Sequence, residues 1–109
     1  MKRNVVATPL FARHLQEFLT DYAEKGAVRF VVKLQASYQS MVDNISSFDE
    51  IGQARRRIIN GKTLTIREYV LDAGARDFLV LYFLPSDPSE PVLLLNIRMG
   101  GQNRFRWKC

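Results

Sequence analysis

The chain has 109 residues, 47% of them hydrophobic and 25% charged, and carries a net charge of +5. It is too short for two independent cores, so residues 1–109 are expected to form one domain, long enough to bury about two-thirds of its unfolded surface without staples. The single cysteine, Cys109, excludes an internal disulfide and suits a reducing compartment.

The elements follow in chain order. Asn4 to Ala7 reads as a short extended run stopped by Thr8-Pro9, a favoured N-cap and first helical residue. Phe11, Leu15, Phe18 and Tyr22 then recur at helical spacing, joined by Leu19 and Ala23. Gly26 stands where a helix ends, after Lys25, whose charge suits that end of the dipole. A second helical pattern, Val28, Val31, Leu34, Tyr38, Met41 and Ile45, begins almost at once and closes in the polar run Asn44 to Ser47. One glycine between two such segments predicts an antiparallel helical hairpin.

The pattern then changes period. Leu64 to Leu71 alternates, with Leu64, Ile66 and Val70 on one face and Thr65, Arg67 and Tyr69 on the other, which predicts a strand with one solvated face. After the turn Asp72-Ala73-Gly74, Phe78 to Leu84 is apolar throughout, as in a central strand. A proline-rich turn from Pro85 to Pro91 leads to a third strand, Val92 to Ile97, ended by Gly100-Gly101. The expected fold is therefore α+β in the order β-α-α-β-β-β. It is an antiparallel sheet of about four strands, with the hairpin on one face and a basic tail.

Charge is unevenly distributed along this order. The first 54 residues hold six cations and six anions, and residues 55–109 hold ten cations and five anions, so the whole excess lies in the second half. Arg55-Arg56-Arg57 opens that half, and Arg98, Arg104, Arg106 and Lys108 close it with no acid among them. Such localised charge favours polyanions or acidic partners. The apolar run Phe78 to Leu84 is far short of the roughly 20 residues a membrane helix needs. Lys2 and Arg3 lead into no apolar stretch, so a secretory leader is not expected, and a cytoplasmic location is.

Several chemistries find no support. His14, the only histidine, has no second metal ligand near it, so it is read as a surface or boundary residue, and neither a metal nor another cofactor is expected. Asn60-Gly61-Lys62-Thr63 resembles the end of a P-loop, but Arg56 stands where an earlier glycine is required and a strand follows, so a plain Asn-Gly turn is expected. No serine or cysteine sits beside a base, and Asp49-Glu50 reads as a solvated loop pair. What remains is arginine interleaved with aromatics: Arg67, Tyr69, Arg76, Tyr82, Arg98, Arg104, Phe105, Arg106 and Trp107. Guanidinium groups bind phosphates and carboxylates, and rings stack on bases. Tyr82 reads as core and Trp107 as a cap on the sheet, which leaves Arg67 and Arg98 as the arginines hardest to explain structurally.

At this point the sequence resembles the RelE/ParE superfamily of bacterial toxins. Thr8-Pro9-Leu10-Phe11-Ala12-Arg13-His14-Leu15 is similar to that family's helix entry, and Ile66-Arg67-Glu68-Tyr69-Val70 to its first meander strand. Asp77-Phe78-Leu79-Val80-Leu81-Tyr82 and Val92-Leu93-Leu94-Leu95-Asn96-Ile97-Arg98-Met99-Gly100 are similar to the two strands that follow. The resemblance implies a toxin neutralised by a cognate antitoxin, here expected as an acidic, partly disordered segment. It also implies one of two activities. ParE-like members inhibit DNA gyrase by binding; RelE-like members cut mRNA on the ribosome, without a metal, through the RNA's own 2′-hydroxyl.

The departures bear on that choice. Only Lys62 stands for the usual lysine pair, Phe78 or Leu79 stands for an arginine with Arg76 close by, Phe105 for a tyrosine and Met99 for a histidine. A ribonuclease would have to draw on Lys62, Arg67, Arg76, Arg98 and Arg104, which bind phosphate but carry few movable protons. Target or nucleic-acid binding would use Arg55, Arg56, Arg57, Arg67, Arg98, Arg104 and Arg106. The scarcity of proton carriers favours gyrase inhibition, with mRNA cleavage as the alternative and a small RNA-binding domain as a third reading.

Overall fold

A computed structural model describes residues 2–108; Cys109, which carries the disulfide argument, lies outside them. The order is β1 (Val5–Ala7), α1 (Pro9–Glu24), α2 (Val28–Ser47), β2 (Gln53–Ile59), β3 (Lys62–Asp72), β4 (Asp77–Phe83) and β5 (Val92–Met99). The α+β class and the helical hairpin are as expected. Thr8 caps α1 with its hydroxyl toward the Phe11 N–H, with Pro9 opening the helix, and Lys25 to Ala27 join the helices.

The sheet departs from expectation in two ways. It has five strands in the order β1-β5-β4-β3-β2, and its outermost pair, β1 with β5, is parallel. The missed strand is β2. Its sequence Gln-Ala-Arg-Arg-Arg-Ile-Ile has no period-2 alternation, because as an edge strand only its end is half-buried. A hairpin with β3 creates it. Asn60 and Gly61 both take positive φ, 52° and 78°, the geometry of a two-residue turn whose twist matches the flanking strands. The parallel pair follows from direction. Three hairpin reversals separate β2 from β5, and β1, held at the sheet's far edge, aligns with β5 through Val5–Val92 and Ala7–Leu94.

Both helices cover one face of the sheet. Phe11, Leu34, Met41 and Ile45 pack there on Leu71, Phe78, Val80, Tyr82, Leu94 and Ile97. A smaller cluster lies on the opposite face, where Ile66, Leu81 and the tail residue Phe105 are buried among Leu64, Leu79, Phe83 and Leu95. Strand β3 therefore changes its buried side along its length. Ile66 is buried on the open face, Leu71 is buried under the helices, and Val70 is 62% exposed. The expectation of a single solvated face for this strand is corrected accordingly.

His14 is a second correction, since it is buried rather than superficial. It falls on the same stripe of α1 as Phe11 and Phe18, and its Nδ1 lies 2.8 Å from Asn96 Oδ1. The Asn96 amide donates from Nδ2 to the Arg106 carbonyl and accepts at Oδ1 from the Ile97 N–H, so His14 Nδ1 must carry the proton. Asp49 is likewise not merely solvated: it pairs with Arg3 at 3.1 Å.

Residues 49–52, between α2 and β2, are clamped from the sheet. The Tyr82 hydroxyl donates to the Asp49 carbonyl and accepts from the Gly52 N–H, both at 2.8 Å, and Arg67 Nη1 donates to the Glu50 and Gly52 carbonyls. A Cβ on Gly52 would meet Tyr82 Cε1 at 2.6 Å and the Glu68 carbonyl at 2.9 Å. Gly52→Ala is expected to cost about 1–3 kcal/mol, the usual penalty for overpacking, measured as a lower urea midpoint at unchanged slope.

Burial also pushes the Tyr82 hydroxyl above its ordinary pKa, against the smaller opposing effects of the Gly52 N–H and Arg67. The unfolded chain releases that proton first, near pH 10, so the folded state loses stability as pH rises beyond that point. Alkaline unfolding followed by circular dichroism should show stability falling above about pH 10, with a shallower fall in Tyr82→Phe than in the parent.

Candidate functional site

The positive charge on the open face gathers around a ring. In the β2–β3 register Arg55 stands opposite Ile66 and Arg57 opposite Leu64, so both arginines share the face that holds the Phe105 cluster. From the other side Arg98, opposite Leu79 on β4, reaches the same place. The guanidinium carbons of Arg57 and Arg98 each lie 5.1 Å from the centre of the Phe105 ring. Two cations thus flank one buried aromatic side chain, each gaining from the ring's negative face.

Glu68 and the tail backbone fix these groups. The Glu68 carboxylate lies 3.4 Å from Arg57 Nη2 and 3.8 Å from Arg55 Nε. Arg98 Nη1 donates to the Met99 and Gln102 carbonyls and so holds the turn that starts the tail. Arg57 Nε is buried and has no partner among the described residues. A buried N–H without an acceptor costs about 1–3 kcal/mol.

The tail is positioned from below. Asn96 sits at the irregularity in the β4–β5 pairing, where Leu81 faces Asn96 but Tyr82 faces Leu94. Its amide holds the Arg106 carbonyl, and the Arg106 side chain pairs with Glu17 on α1, holding that carboxyl below the ordinary carboxylate range. Phe105 is thereby turned inward, and Trp107 is left 41% exposed at the rim.

Apart from Lys62, which shares the open face at the far end of the β2–β3 hairpin, the remaining expected site residues lie elsewhere. Arg67 stands opposite Tyr82 on the helix-side face, where it clamps residues 50 and 52, so Arg67 and Arg98 do not share a surface. Arg56 is exposed opposite Thr65 on the helix-side face of β2. Lys62 begins β3 and Arg76 lies in the turn beyond its far end; the ten steps of strand between Lys62 and Asp72 span about 33 Å. Arg104 is exposed on the tail. The set Lys62, Arg67, Arg76, Arg98 and Arg104 therefore does not converge on one scissile bond. Sequence reasoning missed the part of Glu68 in orienting the arginines and the inward position of Phe105, although period-2 register from the Asn-Gly turn would have placed Arg55, Arg57 and Glu68 on one face.

The open face holds guanidinium groups and a paired carboxylate around an apolar floor. Of the two tyrosines on β3 and β4, Tyr69 is bonded to Asn44 on α2 and Tyr82 to residues 49 and 52, both toward the helix side. The arrangement is suited to binding anionic groups in fixed orientation. Comparison with protein-family profiles, curated proteins and solved structures finds no match to this chain.

Replacing Phe105 by alanine should cost roughly 3 kcal/mol, as for a buried aromatic residue. Arg98→Ala, which loses its carbonyl contacts and the ring, should cost about 1–2 kcal/mol, and Arg104→Ala less than about 0.5 kcal/mol. Chemical denaturation of the three variants checks this order.

Proposed function

We propose that this chain is the toxin of a type II toxin–antitoxin system, of the ParE kind. On this reading it inhibits DNA gyrase by binding in the cytoplasm and is itself held by an acidic, partly disordered antitoxin segment. The observation that carries the reading is the chemistry of the open face, where Arg57 and Arg98 flank Phe105. Fixed guanidinium groups recognise carboxylates and phosphates, and the Tyr69 and Tyr82 hydroxyls are committed to the opposite side. A general acid or base must reach the atoms it serves, and beside the arginines this face offers only the paired Glu68 carboxylate and Lys62 at its end.

The α+β class, with a short strand and a helical hairpin ahead of the later strands, supports the toxin class that the resemblance of Thr8–Leu15, Ile66–Val70 and Val92–Gly100 implies, although β2 and the parallel β1–β5 pair lie outside the implied order. The reading as an mRNA-cleaving enzyme of the RelE kind is weakened by the separation of Lys62 from Arg76. A small RNA-binding domain would need only the basic second half.

A gyrase supercoiling assay and primer extension on translated mRNA, run in parallel, separate these readings. Inhibited supercoiling with intact transcripts is expected. Arg57→Gln should raise the inhibitory concentration roughly tenfold, equivalent to about 1.4 kcal/mol. Cut transcripts with normal supercoiling would instead establish the ribonuclease reading.

A further inference from the structure

Beside the arginine-flanked ring, the open face carries an apolar groove. Leu10 from α1, Ile59 and Leu64 from the β2–β3 hairpin, Phe83, Leu95 and Trp107 line it, with Thr8 at one end and a volume of about 300 Å³. That is the bottom of the range for small-molecule sites, roughly 300–1,000 Å³, and gives room for one or two side chains. Its wall residues are half-buried, apart from the more open Trp107, so part of the apolar surface is available.

The rim is cationic, and the strand register shows why. Lys62 stands directly opposite Ile59, and Arg57 directly opposite Leu64, so each cation shares a face with a wall residue. Lys108 follows Trp107 and is exposed. The nearest carboxylates are already engaged, Glu68 with Arg55 and Arg57 and Glu17 with Arg106. Lys62 has no ion-pair partner among the described residues, and the Arg57 side chain stays 36% exposed beside Glu68.

We propose that this groove docks an acidic segment of a partner polypeptide, one large apolar side chain of which fills the space between Ile59, Leu64, Phe83, Leu95 and Trp107 while flanking carboxylates meet Lys62 and Arg57. The lining decides between a peptide and a nucleobase. Thr8 Oγ1 is already engaged with the Leu94 carbonyl, and the other walls are hydrocarbon or aromatic. A base seated there would lose the water on its polar edges and gain no partner, whereas a leucine or phenylalanine side chain has no such groups to lose. Charge at the rim steers the acidic segment, and the anchor holds it.

The groove is also built to keep its shape. Trp107 is placed by the Arg106 carbonyl, which the Asn96 amide holds, and Asn96 is held in turn by His14. The wall it forms is therefore tied to α1 and β5 rather than left to a free tail. The inference rests on the proposed reading for the acidic character of the partner, and on this construction for where that partner docks.

Trp107 is the only tryptophan, so its fluorescence reports the groove directly. The probe is the peptide Glu-Glu-Leu-Phe-Glu-Glu, titrated against the full chain, with Glu-Glu-Ala-Ala-Glu-Glu, Gln-Gln-Leu-Phe-Gln-Gln and an oligouridylate as comparisons. A saturable blue shift with the first peptide is expected. The alanine peptide should bind at least tenfold more weakly, and the glutamine peptide several-fold more weakly at low salt. Ile59→Ser and Leu10→Ser, on different elements so that one survives if the other fails to fold, should each weaken the first peptide about tenfold. Lys62→Gln should remove most of its salt dependence. Equal binding of the alanine peptide, tighter binding of the oligouridylate at Trp107, or no spectral change up to millimolar peptide would each overturn the proposal. A chain that docks the peptide but leaves supercoiling untouched would fail only the toxin reading.

Discussion

The carboxamide of Asn96 joins three parts of the chain that have little other reason to meet. It sits fully buried at the break in β4–β5 pairing, accepts from His14 on α1, and donates to the carbonyl of Arg106 in the tail. The bond to His14 is made away from water, where a lost partner leaves a bare polar group and a cost of about 1–3 kcal/mol. The amide therefore does more than add one interaction. It fixes the tautomer of His14, the direction of the tail and, through the tail, the inward turn of Phe105 and the outward turn of Trp107. The ring between the two arginines and the wall of the apolar groove both depend on that one side chain.

The rest of the architecture follows from a sheet with two unequal faces. The helical hairpin covers the larger, over the middle strands and β5, and leaves the β2–β3 hairpin reaching past it. Strand β3 responds by burying its first half under Phe105 and its second half under α2. Edge strand β2 carries three consecutive arginines. Charge of one sign along an edge discourages pairing with a second copy of the same strand, and an acidic chain meets no such repulsion.

A second clamp operates on the helix-side face. Tyr82 and Arg67 leave the helix-side face of the sheet to hold residues 49–52, and Arg3 pairs with Asp49 from the N-terminal segment. A tyrosine in an apolar strand and an outward-looking arginine, which read as core and as binding site in sequence, together fix the entry to β2. That entry anchors the start of β2, while the Asn60-Gly61 turn sets the β2–β3 register that determines which arginines reach the open face.

The amino-acid sequence alone determined what depends on local chemistry. The capped helix after Thr8-Pro9, the hairpin at Gly26, the Asn-Gly turn, the apolar strands β4 and β5 and the concentration of charge in the second half were all legible there, because each arises from neighbouring residues or from a repeating period. Tertiary structure alone decided the existence of β2, the parallel β1–β5 edge, the burial of His14 and the grouping of the arginines. An edge strand exposed along most of its length has no period to read. A buried histidine is polar by type and reveals its environment only through Asn96, 82 residues away. Arg67 and Arg98 look alike in sequence, yet strand register sends them to opposite faces, one to hold a loop and the other to flank an aromatic ring.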